Sequence, residues 1–168
     1  MTLLVRTGGW ITGRIASLTG WRALLFAFAA GAFSALAFPP LEFFPALLLG
    51  YAALVLLLDG AAQAPGRLRR AAGLGWAFFF GQFAIGLHWI VYPFLIYPDA
   101  NLWQLPFSIL LPAGLGLFGA LAASLAMFFW RTGAGRILAF AAALALSEWL
   151  RGHVLTGFPW NLSGYGWG

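Results

Sequence analysis

Apolar residues in this chain come in blocks, and the breaks between blocks collect arginine, proline, glycine and the few acids. A helix needs about 20 apolar residues to cross a hydrocarbon core. Five blocks approach that length and predict helices over about 22–38, 41–58, 71–91, 105–130 and 137–152. The first is short, but Trp21 and Arg22 can sit at the interface and lengthen it. Pro45 falls in the first turn of the second, where a missing N–H does little harm. Pro106 opens the fourth, and Pro112 is placed to kink it. The last stretch, 153–168, breaks the pattern: "TGFPWNLSGYGWG" from Thr156 onward is rich in glycine and aromatics. Irregular backbone survives at membrane depth only where protein or a wet cavity satisfies its N–H and C=O groups. The stretch therefore reads as an irregular or re-entrant loop at the membrane face. The predicted fold is an all-α integral membrane protein of about five transmembrane helices, in one membrane domain spanning 1–168.

Five spans sort the loops into two sides. Arg6, Arg14, Arg22, Arg67, Arg69, Arg70, Arg131 and Arg136 fall on one side, and only Arg151 on the other. The positive-inside rule then puts the N-terminus inside and residues 153–168 outside. Tryptophans near both ends of the runs form the expected aromatic belts. A cleavable signal peptide fits poorly, because the basic region before the first run is long and further spans follow.

Composition narrows the chemistry. The chain is 62% hydrophobic and only 8% charged, against about 25% charged in a soluble domain. It has no cysteine and no lysine, which excludes disulfides, a thiolate nucleophile and Schiff-base chemistry. The arginines flank apolar runs and do not form one patch, so the high isoelectric point does not signal nucleic acid.

Ionisable groups inside apolar runs are costly and often functional. Glu148 and Arg151 lie three apart, on one helical face. Two readings stand: a charged site facing a cavity, with Arg151 holding phosphate or carboxylate, or an interfacial ion pair whose arginine snorkels to water. Trp89 and Tyr92 are either belt residues or the wall of a lipid entrance. His88 and His153 lack metal-ligand spacing, so no metal site is expected. The glycines at 73, 75, 81, 86 and 114–119 read as close-packing positions between helices.

The run "SEWLRGHVLTGFPWNLSGYG" closely resembles the signature of the apolipoprotein N-acyltransferase family: Glu148 to Gly152, then Thr156 to Trp160, then Gly164 and Tyr165. Two weaker echoes are "LAFPP" at 36–40 and "HWIVYPF" at 88–94. The resemblance implies a bacterial cytoplasmic (inner) membrane enzyme with its signature loop facing the periplasm. It also implies a nitrilase-like domain carrying a Glu, a Lys and a Cys nucleophile. The cysteine takes an acyl chain from a phospholipid as a thioester. It passes the chain to the α-amino group of a lipoprotein's N-terminal diacylglyceryl-cysteine.

This chain holds neither Lys nor Cys, so it has no catalytic residue of that kind and is expected to be inactive alone. It reads as the N-terminal part of a longer acyltransferase, supplying lipid binding and positioning, with no cofactor. The expected functional set is Glu148, Arg151, Gly157, Pro159, Trp160 and Tyr165, with Trp89 and Tyr92 at the lipid entrance. Expected partners are a phospholipid acyl donor, a lipoprotein N-terminus as acceptor and membrane lipids, with a monomer favoured. The competing readings are a small channel or transporter, with Glu148 and Arg151 as pathway residues, and a non-catalytic lipid-binding protein.

Overall fold

The computed structural model describes residues 2–96, 98–154 and 160–167. Among them all regular structure is helical. The helices are α1 (Thr2–Ala16), α2 (Gly20–Ser34), α3 (Phe44–Ala62), α4 (Arg67–Gly86), α5 (Val91–Ile96), α6 (Pro98–Asn101), α7 (Phe107–Phe128) and α8 (Gly135–Arg151). Short 3-10 turns at Ala35–Ala37, His88–Ile90, Leu102–Gln104 and Ser163–Trp167 join or follow them.

Three segments are long and apolar enough to cross a membrane: Gly20–Ala37, Phe44–Ala62 and Leu102–Phe128. A fourth forms if Arg67–Gly86 and His88–Ile96, bent by 56° relative to each other, are one broken span. The bend has a local cause. Leu87, with φ −108° and ψ 15°, leaves the helical region, and the chain continues as a 3-10 turn before α5 begins. At 17 residues, α8 is about 25 Å long, slightly less than a typical hydrocarbon core.

Helix ends depart from the apolar blocks where a partner removes the cost. α3 runs on through Asp59 to Ala62. The Asp59 carboxylate accepts from Trp130 Nε1 at 3.1 Å and pairs with Arg136 at 3.2 Å. α1 occupies the basic N-terminal stretch, ahead of the first apolar block, and its Ala16 carbonyl packs against Gly60 of α3.

Many small side chains face inward beside a few large ones such as Phe78, Phe83, Leu54 and Leu58, and many large ones face outward. Ala27, Ala46, Ala71, Ala122, Ala123 and Ala126 are buried, while Leu25, Leu49, Ile109, Leu110, Leu117 and Leu138 are exposed. That is the pattern of helices that touch each other closely and present bulk to lipid. α4 lies at the centre, packed chiefly on α7 and α2. Several of its contacts bring backbone close to backbone. Gly31 of α2 abuts the Phe78 carbonyl, Gly81 of α4 abuts the Phe28 carbonyl, and Gly75 of α4 meets Gly119 of α7. Gly116 adds a contact at Trp76, whereas Gly114 has open space around it.

A Cβ on Gly75 would lie 2.6 Å from the Ala123 Cβ, so α4 and α7 would have to separate. Gly75→Val is expected to cost about 1–3 kcal/mol through overpacking. Gly114→Ala should cost nothing measurable. Thermal melting of the purified variants in detergent checks both.

Candidate functional site

The chain's three quoted motifs meet at one end of the bundle. A groove of about 600 Å³ is lined by Phe38, Pro39 and Pro40, by Gly86, His88 and Trp89, and by Asn161 and Tyr165. The first set belongs to "LAFPP", the second closes α4 and opens "HWIVYPF", and the third belongs to the C-terminal loop. The 56° break after α4 is what turns His88 and Trp89 out of the helix line and into the groove wall.

The loop is anchored by one carboxylate. Glu148 Oε1, in the last turns of α8, accepts from the Ser163 backbone N–H at 2.9 Å and from the Ser163 hydroxyl at 2.7 Å. The Ser163 hydroxyl also contacts the Tyr51 hydroxyl of α3. Tyr51 in turn is fixed by aromatic neighbours, stacked on Phe78 at 5.3 Å and set edge-on to Phe140 at 6.1 Å. Gln82 of α4, almost fully buried, lies beside the Tyr51 hydroxyl. One serine thus ties α3 and α8 together through the loop.

Arg151 does not snorkel. It is 4% exposed, and its guanidinium lies 4.7 Å over the Phe83 ring, a cation–π geometry. Its nearest approach to Glu148 is 3.9 Å, longer than a hydrogen bond. The two charges compensate each other electrostatically, while the directional bonds of Glu148 go to Ser163. The cavity bordering Glu148, Arg151, Phe79 and Phe83 is about 10 Å³, space for about one water.

Two further contacts seat the loop. The Asn161 amide nitrogen lies in the space a Cβ on Gly86 would occupy. Asn161 itself has φ 36°, a left-handed conformation that asparagine adopts more readily than most residues. Gly166 is buried, and a Cβ there would stand 3.2 Å from Leu47 and 3.6 Å from Ala37.

Of the expected residues, Glu148 and Arg151 lie beneath the loop, and Trp160 is half-buried against the main core. Tyr165 and Trp89 are exposed and line the groove. Tyr92 is exposed on α5, edge-on to His88 at 6.1 Å. Gly157 and Pro159 lie outside the described residues. His88 and His153 bond carbonyls in the last turns of the helices they follow, Ile85 of α4 at 2.8 Å and Trp149 of α8 at 2.7 Å. Sequence reasoning missed Tyr51, Gln82 and Ser163, and Asn161 offers in sequence only a glycosylation-like pattern of three residues, too common to count. Tyr51 and Gln82 carried a signal all the same, since each puts a polar group in mid-run where it must find a partner.

The comparisons with known proteins agree with the quoted motifs. The pattern of the apolipoprotein N-acyltransferase N-terminal domain matches residues 30–168. An apolipoprotein N-acyltransferase of Rhizobium leguminosarum bv. trifolii is 49% identical over 162 residues, 93% of this chain and 30% of that protein. One of Brucella melitensis biotype 1 is 50% identical over 161 residues, 92% of this chain and 30% of that protein. One of Rhizobium etli is 47% identical over 162 residues, 93% of this chain and 30% of that protein. The chain thus spans about 30% of the length of these relatives. It belongs to the apolipoprotein N-acyltransferase family, of which it represents the N-terminal domain.

Proposed function

We propose that this chain is a five-span membrane domain that binds and positions lipid substrates for lipoprotein N-acylation. In that reaction an acyl chain moves from a phospholipid, through a cysteine thioester, to the α-amino group of a lipoprotein's N-terminal diacylglyceryl-cysteine. A thiolate is a good nucleophile, and its thioester reacts readily with an amine. The chain contains no cysteine or lysine, so its part is binding and orientation, and it is inactive alone. The observation that carries this reading is the convergence of three separate motifs on one groove.

In this reading the groove faces the periplasm, because the arginines of the 66–70 and 131–136 segments gather at the opposite end. Trp89 and Tyr92 form the lipid entrance. Trp160, rooted in the core, packs on the substrate or on the catalytic domain, and Tyr165 offers a hydroxyl in the groove. Glu148 and Arg151 hold the loop's base, and Gly157 and Pro159 belong to the same functional set. The domain works as a monomer in the cytoplasmic membrane. A channel reading gains no support, since the space beside Glu148 and Arg151 is about 10 Å³.

Trp160→Ala in the full-length acyltransferase should abolish triacylated lipoprotein while leaving membrane insertion intact. Wild-type triacylation in that variant sinks the assignment. The loop anchor is open to a double-mutant cycle. Tyr51→Phe should lower stability by about 1 kcal/mol, and Ser163→Ala by about 2 kcal/mol, because it also deletes the hydroxyl's bond to Glu148. The double variant should lose less than the sum, because both changes delete the same hydroxyl contact. Thermal melting gives the coupling, and additive losses would show that the two hydroxyls act independently.

A further inference from the structure

The end of the bundle opposite the groove carries a cavity of about 500 Å³ between α2, α3 and α4. Its rim is polar: Thr19, Arg69 and Arg70 line it. Its floor is apolar, with Leu24, Leu57 and Leu74. From this pairing we infer a second lipid site, one that takes the phosphate of an anionic phospholipid headgroup on Arg69 and Arg70.

The charge argument is local. Among the described residues no carboxylate lines the cavity. The nearest acid along the chain at this end, Asp59, is already engaged by Arg136 and Trp130. Arg69 and Arg70 are exposed and enter no ion pair among the described residues. Two guanidinium forks at one rim suit phosphate oxygens, which they can bind bidentately. Basic cavities between membrane helices commonly take anionic headgroups for this reason.

The floor decides between a lipid and free phosphate. Inorganic phosphate gains nothing from leucines. A phospholipid sets its phosphate on the arginines and the first methylenes of its chains against Leu24, Leu57 and Leu74. Gly73 keeps this space open. A Cβ there would touch only Leu24, at 3.4 Å, so a larger side chain enters the cavity without striking backbone. The site is separate from the groove, and it stands whether or not the groove binds the acyl donor.

The test uses the full chain in detergent, with phosphatidylglycerol added against phosphatidylcholine and bound lipid read by native mass spectrometry. Wild type should retain phosphatidylglycerol selectively. R69Q/R70Q should weaken it roughly 30-fold, at about 1 kcal/mol per arginine. R131Q removes a charge from the same end but outside this cavity and should leave retention unchanged. Gly73→Leu keeps every charge, fills the space and should abolish retention. Inorganic phosphate at equal concentration should not displace the lipid. Equal losses in R131Q and R69Q/R70Q, full retention in Gly73→Leu, or displacement by inorganic phosphate would each overturn the site. Melting in phosphatidylcholine separates loss of binding from loss of fold, and because Gly73→Leu acts without touching charge, either variant alone can refute the proposal.

Discussion

Everything in this fold depends on how closely α4 can approach its neighbours. In lipid there is no water to squeeze out between helices, so association rests on packing contacts and hydrogen bonds. Dispersion is weak per atom pair and fades quickly with separation. Glycines at 31, 75, 81, 116 and 119 bring helix backbones into contact on two faces of α4. That approach fixes the heights of α2, α4 and α7 relative to one another. It also fixes where α4 ends, and therefore where His88 and Trp89 are delivered. A groove assembled from three distant segments requires this precision, because an offset of one turn, about 5.4 Å, would leave its walls facing different levels.

The loop is held by a different kind of force. Glu148 concentrates three interactions on a few atoms: two hydrogen bonds from Ser163 and the field of Arg151. Hydrogen bonds to an ionised acceptor are roughly twice as strong as neutral ones. Arg151 lies too deep to reach water and needs the nearby negative charge, since an uncompensated buried charge costs several kcal/mol. Phe83 beneath it supplies the remaining favourable surface. The family motif therefore has a physical reading. The acid fastens the loop, and the arginine three residues on compensates the acid's charge and packs the space below.

The sequence made much of this legible. Apolar block lengths predicted an all-helical membrane chain, because hydropathy and helix length are tied by bilayer thickness. Spacing put Glu148 and Arg151 on one face. It could not say that Glu148 would bond Ser163, fifteen residues away, because the backbone between them is irregular and has no period to read. Nor could it say that α3 would carry Asp59, since the cost of that acid is removed by Arg136 and Trp130, which are distant in the chain. α1 was hidden for a related reason. Its arginines and glycines look like a leader to a span, and its contact with α3 rests on the Ala16 backbone at Gly60. The break at Leu87 lies inside the helix that the apolar block predicted over 71–91, and its consequence, a groove wall, required the position of Asn161.

The two ends of the bundle differ in charge. At the groove, Arg151 is buried under the loop and compensated, and none of the described groove-lining residues carries a fixed charge. What remains is an aromatic face at Trp89, polar atoms on His88, Asn161 and Tyr165, and the rigid wall of Pro39 and Pro40. Such a surface offers shape and apolar contact without a fixed charge to attract a phosphate from a distance. At the arginine-rich end the balance reverses: Asp59 is taken up by Arg136 and Trp130, and no carboxylate among the described residues lines the cavity beside Arg69 and Arg70. A chain with so few charged residues has spent most of its arginines at one end and concealed its last one at the other. The neutrality of the groove is therefore a built property, made by burying Arg151 against Phe83 and Glu148.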